Sequence, residues 1–455
     1  MPHELVVVAG LGSIRVIAAC ACMPKALARQ RRAPRMAGLL LPEFGRGRLL
    51  LVAQLLVSIE VGALIAGETV YLYEVAGLRA EQIGLGLFLA SSAGLVAVPL
   101  AGAWADRRGH QATAVAAGAA AALAISAYVL VDSLAALVLV EAAATIALLS
   151  MTVSLRALAT TLFDRPLWLR YSAFERTLIN VGLPIGALLA VVPLATGSRG
   201  WYVALFLATA AGVGVATLCI RLVGAPGGGS AAAPLAPRRT TLLVRDLPYV
   251  TMALLFGLLF SRNSVLAVGI PLWIVTSVPL PRSAASMSLI ANTVLVVALQ
   301  VRVARSATTL SSARRVTAGG GACLALSCLA IALSPADAAL AAAVALAGAV
   351  VLLTAGEMLT SAGEWTYSYE LADPRAQGRY QSMFVFGHQL GLLVGPLLAT
   401  TLCVGLGAPG WALLGLVFLL AGAAIWAATP WAVRMTAARD QASNQRTINE
   451  NEEME

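Results

Sequence analysis

The sequence predicts an all-α membrane protein: twelve transmembrane helices arranged as two pseudo-symmetric six-helix bundles. Three observations lead there. Of the 455 residues, 59% are hydrophobic and only 12% charged, with a mean hydropathy of +0.85, whereas a soluble domain carries about 25% charged residues. The apolar residues fall into twelve runs, each long enough to cross a hydrocarbon core of about 30 Å. Finally, RYSAFERTLINVGLPIGALLA from Arg170 is repeated as RYQSMFVFGHQLGLLVGPLLA from Arg379, with eight of 21 aligned positions identical. Arginine, tyrosine and the upstream Asp164/Asp373 match are rare residues in this composition, and the displacement is close to half the chain. Asn180 aligns with Gln389. Homologous halves in one membrane chain are the usual architecture of secondary transporters, with the substrate site between them.

Taken in order, Leu49–Leu72 opens after Arg46 and Arg48, and Gln82–Ala103 lies between Glu81 and Asp106. Thr113–Val131 and Leu134–Ala159 are separated by Asp132. Ala173–Leu194 ends before Gly197, and Trp201–Ile220 lies between Arg199 and Arg221. A connector rich in Gly, Ala, Pro and Ser then leads to Leu247–Val275. Ala284–Val303 lies between Arg282 and Arg305, Val316–Ser334 between Arg315 and Pro335, and Ala338–Ala362 between Asp337 and Glu364. Met383–Leu406 and Trp411–Val433 complete the set. The predicted organisation is an N-terminal extension (1–46), a first bundle (47–220), a cytoplasmic connector (221–246), a second bundle (247–433) and a disordered tail (434–455). The extension is expected to be poorly ordered: its apolar stretch Val6–Met23 precedes the basic run Lys25, Arg29, Arg31, Arg32 and Arg35, the reverse of a secretory signal. Met36 is an alternative start.

Orientation follows from arginine bias across short loops. Loops after even-numbered runs hold Arg107, Arg108, Arg165, Arg170, Arg221, Arg238, Arg239, Arg245, Arg302, Arg305, Arg314, Arg315, Arg375 and Arg379; those after odd-numbered runs hold only Arg79, Arg199 and Arg282. Both termini are therefore expected in the cytoplasm, in the cell membrane.

The composition also excludes functions. Lys25 is the only lysine, so a phosphate-cradling loop ending in Gly-Lys-Ser/Thr cannot exist outside the extension. The net charge of +9 is almost wholly arginine and indicates codon bias rather than nucleic-acid binding. Six cysteines without CxxC spacing and three scattered histidines argue against a metal site, a cofactor or an enzyme.

Between the second and third runs stands Gly102-Ala103-Trp104-Ala105-Asp106-Arg107-Arg108-Gly109-His110-Gln111. Gly102 permits close helix contact, Asp106 can accept hydrogen bonds at a helix end and Gly109 suits a tight turn. This segment resembles the cytoplasmic loop signature of the major facilitator superfamily: Gly102, Asp106, Arg107 and Gly109 match, while His110 and Gln111 replace the usual basic pair. The stretch from Gly356-Glu357 through Ala372-Asp373-Pro374 and Gly378-Arg379-Tyr380 to Gly395-Pro396 is similar to helices ten and eleven of the 12-helix drug/proton antiporters. Two features depart from that pattern. Gly182-Leu183-Pro184-Ile185-Gly186 has the exporter glycines and proline in another order, and the outer half of the fourth helix carries Glu141 where an arginine is common, with Arg156 nearer the cytoplasm.

Ionisable residues inside a bilayer cost at least about 2.5–3.5 kcal/mol each on insertion scales, so each needs a partner, water or a function. Here they are Glu60 and Glu68 on the first run, Glu141 on the fourth, Arg262 (beside Asn263) on the seventh and Glu357 on the tenth. The resemblance implies that these four helices line the central cavity. Glu60 lies about 16 Å into its run, and Glu68 about 12 Å further along. Glu60, Glu68, Glu141 and Glu357 are thus the expected proton-coupling residues. Arg262, Asn263, Asn180 and Gln389 are the expected cavity residues, with Arg262 pairing to Glu60 or to Glu357. Gly102, Asp106, Arg107, Gly109 and Arg156 form the expected gate, Asp106 facing Arg156 and the start of the eleventh helix. For Asn180, Gln389 and His388, helix–helix packing is an equal or better reading. The functional expectation is a monomeric secondary transporter using protons to export a small hydrophobic compound such as a drug or natural product. The alternatives are an uptake symporter, a sugar-efflux carrier or a non-transporting sensor.

Overall fold

The computed structural model describes residues 42–163, 165–224, 246–335, 337–373 and 377–452. Leu49–Glu455 form one compact unit, and Met1–Arg48 are assigned to another. Of that second unit, only the 3-10 turn Pro42–Gly47 and Arg48 are described. The predicted extension and connector lie almost wholly outside the described residues.

Among the described residues, twelve long helical elements follow one another. α1 (Arg48–Val70) continues through a π-helical turn, Tyr71–Val75. Next come α2 (Ala80–Arg108), α3 (His110–Ala127), α4 (Leu134–Leu162), α5 (Arg165–Thr196) and α6 (Arg199–Val223). α7 is broken into Leu247–Phe260, Arg262–Ser264, a π-helical turn Val265–Gly269 and Ile270–Ser277. The second half then repeats the order: α8 (Ala284–Ala304), α9 (Leu310–Ala332), α10 (Ala339–Glu370), α11 (Gln377–Leu398, with a π-helical turn Ala399–Val404) and α12 (Ala408–Glu452). Ten of these are long and apolar enough to span a membrane. The other two, α2 and α8, hold shorter apolar segments, Ala80–Val96 and Ala284–Gln300. Side chains such as Leu123, Leu139 and Leu340 are more than 70% exposed, as suits a surface solvated by lipid tails.

Several boundaries differ from the sequence expectation: α5 starts at Arg165 rather than Ala173, α9 at Leu310 rather than Val316 and α11 at Gln377 rather than Met383. α10 runs to Glu370 and carries Glu364 inside the helix. α12 does not stop at Val433 but continues to Glu452, because no glycine or proline follows Pro430 and the tail is rich in Ala, Arg, Gln and Glu, which propagate a helix well. The expected disordered tail is therefore described as helix as far as Glu452.

The packing repeats as the sequence does. α3 packs on α4 and α6, and α9 on α10 and α12; α2 packs on α4, and α8 on α10. Contacts between the halves are reciprocal as well, α2 against α11 and α5 against α8. The repeated glycines seat α5 on α1 and α11 on α7. A methyl group placed on Gly186 would lie 1.9 Å from the Ile59 carbonyl oxygen, and one on Gly391 would lie 2.2 Å from that of Gly257. Small residues let helix backbones approach this closely in membranes.

One buried apolar cluster belongs to the second half alone, around Phe256, Tyr367, Phe384 and Phe418. The other joins both halves: Tyr71, Tyr128, Tyr202 and Phe206 pack in one cluster with Val268, Leu272, Leu289 and Ala399. All of these lie toward the end of the molecule opposite the Arg107–Gly109 turn.

Candidate transport site

In the first half, the caps set the register. Ser133 accepts a hydrogen bond from the Ala136 amide at 3.3 Å and starts α4, which places Glu141 two turns further on, beside the end of α3. There Tyr128 is fully buried, and Tyr71 donates to its carbonyl at 3.1 Å. The Tyr128 hydroxyl lies within hydrogen-bond reach of Glu141 and, at 3.1 Å, of Glu68 Oε1. Thr145 donates to the other Glu141 oxygen at 3.1 Å. A phenol has one proton and can donate only once. Serving both carboxyls therefore requires one of them to carry a proton and donate to the phenol oxygen. Glu68, Tyr128 and Glu141 thus meet where α1, α3 and α4 come together.

Glu60 stands apart. It is 1% exposed, and neither carboxylate oxygen has a hydrogen-bond partner among the described residues. An ionised carboxylate without partners is costly to bury, whereas the neutral acid is far less so.

The second half is built around the break in α7. Ser261 turns its hydroxyl back onto the Leu258 carbonyl at 2.7 Å, and the following residue is Arg262. Arg262 is 4% exposed. It donates to the Leu259 carbonyl at 3.3 Å and to Ser361 Oγ on α10 at 3.1 Å, with its guanidinium carbon 5.1 Å from the centre of the Phe260 ring. Nε has no partner among the described residues. The sequence pairs Arg262 with Glu60 or Glu357; among the described residues it forms no ion pair. Glu357 instead accepts from Asn292 of α8 at 2.9 Å. Glu364, one turn beyond Ser361, pairs with His388 of α11, whose ring stacks on Phe260 at 4.0 Å. Among the described residues, neither of these two acids forms an ion pair with Arg262.

The remaining expectations divide. Asn263 donates to the Phe260 carbonyl at 2.8 Å, within its own helix. Asn180 and Gln389 are half-buried on α5 and α11. Gly102 and Asp106 lie in the last turns of α2, where the description covers the backbone alone. Arg107 and Arg108 are exposed, and Gly109 takes a left-handed φ of 89° between α2 and α3, which favours glycine. Arg156 pairs with Glu175 of α5 at 3.5 Å; its expected contact with Asp106 involves a side chain outside the described residues. Gln111 donates to the carbonyls of Ile220 and Arg221 at 2.9 and 3.1 Å. It thereby satisfies the open C-terminus of α6, a task that a basic residue at this position could share.

Sequence reasoning missed Tyr128, Ser361, Asn292 and the Glu364–His388 pair, because partners on different helices leave no spacing signal. It also missed a contact between the halves. Glu74, at the end of α1, forms an ion pair of 2.5 Å with Arg282, in the α7–α8 loop. Nearby, Thr69 donates to the Ala267 carbonyl at 3.0 Å. The hydrogen bond to Glu74 raises the Arg282 pKa further, so the guanidinium stays charged.

Two six-helix halves pack reciprocally, with Glu60 on α1 and Arg262 on α7 buried and Glu141 on α4 and Glu357 on α10 half-buried. The family model of the Major Facilitator Superfamily matches residues 50–396, and the chain belongs to that superfamily. Among solved structures it is similar to the nucleoside transporter NupG, at 13% identity over 86% of this chain and 99% of that one, with a TM-score of 0.66. A peptide transporter POT bound to sulfate matches at 13% identity, over 86% and 95% of the two chains, with a TM-score of 0.65. A POT family transporter in complex with 5-aminolevulinic acid matches at 12% identity, over 84% and 96%, with a TM-score of 0.64. At these identities the likeness is one of fold. No curated protein matches the sequence.

Proposed function

We propose that the protein couples proton movement to the export of a small, largely hydrophobic organic compound. In this reading it works as a monomer in the cell membrane, with both termini cytoplasmic. Glu60 is the principal proton carrier, and Glu68, Glu141 and Glu357 are auxiliary sites. Arg262, Asn263, Asn180 and Gln389 face the substrate. Gly102, Asp106, Arg107, Gly109 and Arg156 govern the exchange between access states.

The observation that carries this reading is the buried Glu60 carboxyl, without a hydrogen-bond partner among the described residues. Burying such a group makes sense if it binds a proton in one access state and releases it in another. The contacts of Glu68, Tyr128 and Glu141 on the same helices support it. The Glu74–Arg282 pair and the apolar cluster common to both halves suit a seal at one end. Export rests on the antiporter-like sequence of α10 and α11. A second reading of the same acids is symport, in which the proton and the compound move the same way.

The test uses everted vesicles acidified inside by respiration and carrying a pH-sensitive dye. A panel of small hydrophobic acids, amines and amides is added one compound at a time. Dye recovery that depends on the protein supports proton exchange for that compound, and further acidification would point to symport. A panel that moves no protons would contradict coupling.

A further inference from the structure

We infer that the transported compound carries an anionic group, a carboxylate in the simplest case, and that Arg262 receives it. The inference names the substrate class for the site proposed above and rests on that site being a transport site.

A guanidinium cannot shed its charge in a protein and presents five N–H donors. Among the described residues, Arg262 uses only two of them on protein acceptors, the Leu259 carbonyl and Ser361 Oγ, and Nε is unpartnered. Neither acceptor is charged. A buried cation whose charge is not balanced destabilises the protein that holds it, and one left without its partner is worse than none. The two acids that α10 offers on either side of Ser361 meet other side chains, Glu357 accepting from Asn292 and Glu364 pairing with His388, and neither forms an ion pair with Arg262 among the described residues. The empty protein therefore holds a fixed positive charge with unused donors, at the break of the seventh helix. A carboxylate can take two parallel N–H bonds from one guanidinium. Ser361 would remain as a second, neutral donor beside it.

If Arg262 were instead a tie holding α7 to α10, removing its charge would weaken the protein. If it waits for an anion, removing its charge should relieve the empty protein. The full-length protein is purified in detergent at one fixed pH, and unfolding is followed through its eight tryptophans. The probes are a set of hydrophobic monocarboxylates of graded size, each paired with its primary amide. At least one acid is expected to raise Tm with increasing concentration while its amide does not. R262Q is expected to weaken binding of that acid at least tenfold, and Arg262→Lys to fall between. Arg262→Met, without any probe, is expected to raise Tm. The inference is overturned if no acid in the set shifts Tm, if the amide binds as well as its acid, if R262Q binds the acid as tightly, or if Arg262→Met lowers Tm. No gradient is present, so failure here leaves proton coupling standing, whereas loss of coupling with acid binding intact would remove only the earlier reading.

Discussion

Glu60 and Arg262 occupy the same place in the two halves of the molecule. The Ile59 carbonyl faces Gly186 as the Ser261 carbonyl faces Gly395, and the Leu55 carbonyl faces Gly182 as that of Gly257 faces Gly391. Further along, Gly67 lies against Ala190 and Tyr202, and Gly269 against Ala399 and Trp411. One register relates α1 to α7 and another relates α5 to α11, and under them an acid in the first half answers a base in the second. Both are buried, and neither forms an ion pair among the described residues. A chain built from two like halves thus carries an acid and a base at one equivalent position.

The glycine seats should be sensitive to volume. Gly186→Val and Gly391→Val would drive side-chain atoms into backbone, and overpacking of this kind costs about 1–3 kcal/mol or more. Both variants are expected to lose several degrees in Tm or to fail to accumulate, while Gly212→Ala, with open space around it, should behave as wild type. Size-exclusion profiles and tryptophan-monitored melting in detergent check this.

Much of this architecture is legible in the amino-acid sequence. The two halves and the glycine seats follow from the Arg170/Arg379 repeat, because close backbone packing restricts which residues fit and so leaves the same letters twice. The acidic set on α1 and α4 is legible from its setting alone, since charge is rare in the spans. Who pairs with whom is not. The sequence assigns Arg262 to Glu60 or Glu357, yet it bonds Ser361, and Glu357 accepts from Asn292. Side-chain partners on separate helices depend on helix rotation and depth, which hydropathy does not encode. Glu364 escapes notice because the apolar run of α10 stops short of it while the helix does not.

The Glu74–Arg282 pair joins the two halves at the end away from the Arg107–Gly109 turn. Arg282 is 45% exposed at its side chain, and exposed pairs contribute about 0–1 kcal/mol. Arg282→Ala should therefore leave Tm almost unchanged but shift the balance of access states by up to about fivefold. A cysteine placed at Val268, buried in the shared cluster, is expected to react faster with a membrane-impermeant thiol reagent in the Arg282→Ala background, once the native cysteines are replaced. Equal rates would show that the pair does not hold that end closed.

Asp106 lies in the last turn of α2, next to the Gly109 turn. Asp106→Ala is expected to reach the membrane at normal abundance and to slow the exchange between access states several-fold. Transport at the wild-type rate would reduce the motif to a turn that sets topology.

Orientation has a simple check. A reporter active only in the cytoplasm should work when inserted at residues 225–245 or fused after Glu455, and should be silent at Gly77 or Ser198. Activity at Gly77 would invert the topology.

The central claim is that Glu60 carries the coupled proton, and Glu60→Gln tests it most directly, since the amide keeps the shape and cannot titrate. Wild-type and variant proteins are reconstituted into vesicles, and proton movement is recorded on adding a compound that both are shown to bind. The account predicts that Glu60→Gln folds and binds the compound but moves no protons with it and no longer accumulates it against a gradient. Wild-type proton movement in the Glu60→Gln vesicles would contradict it and pass the role to Glu68, Glu141 and Glu357, in that order.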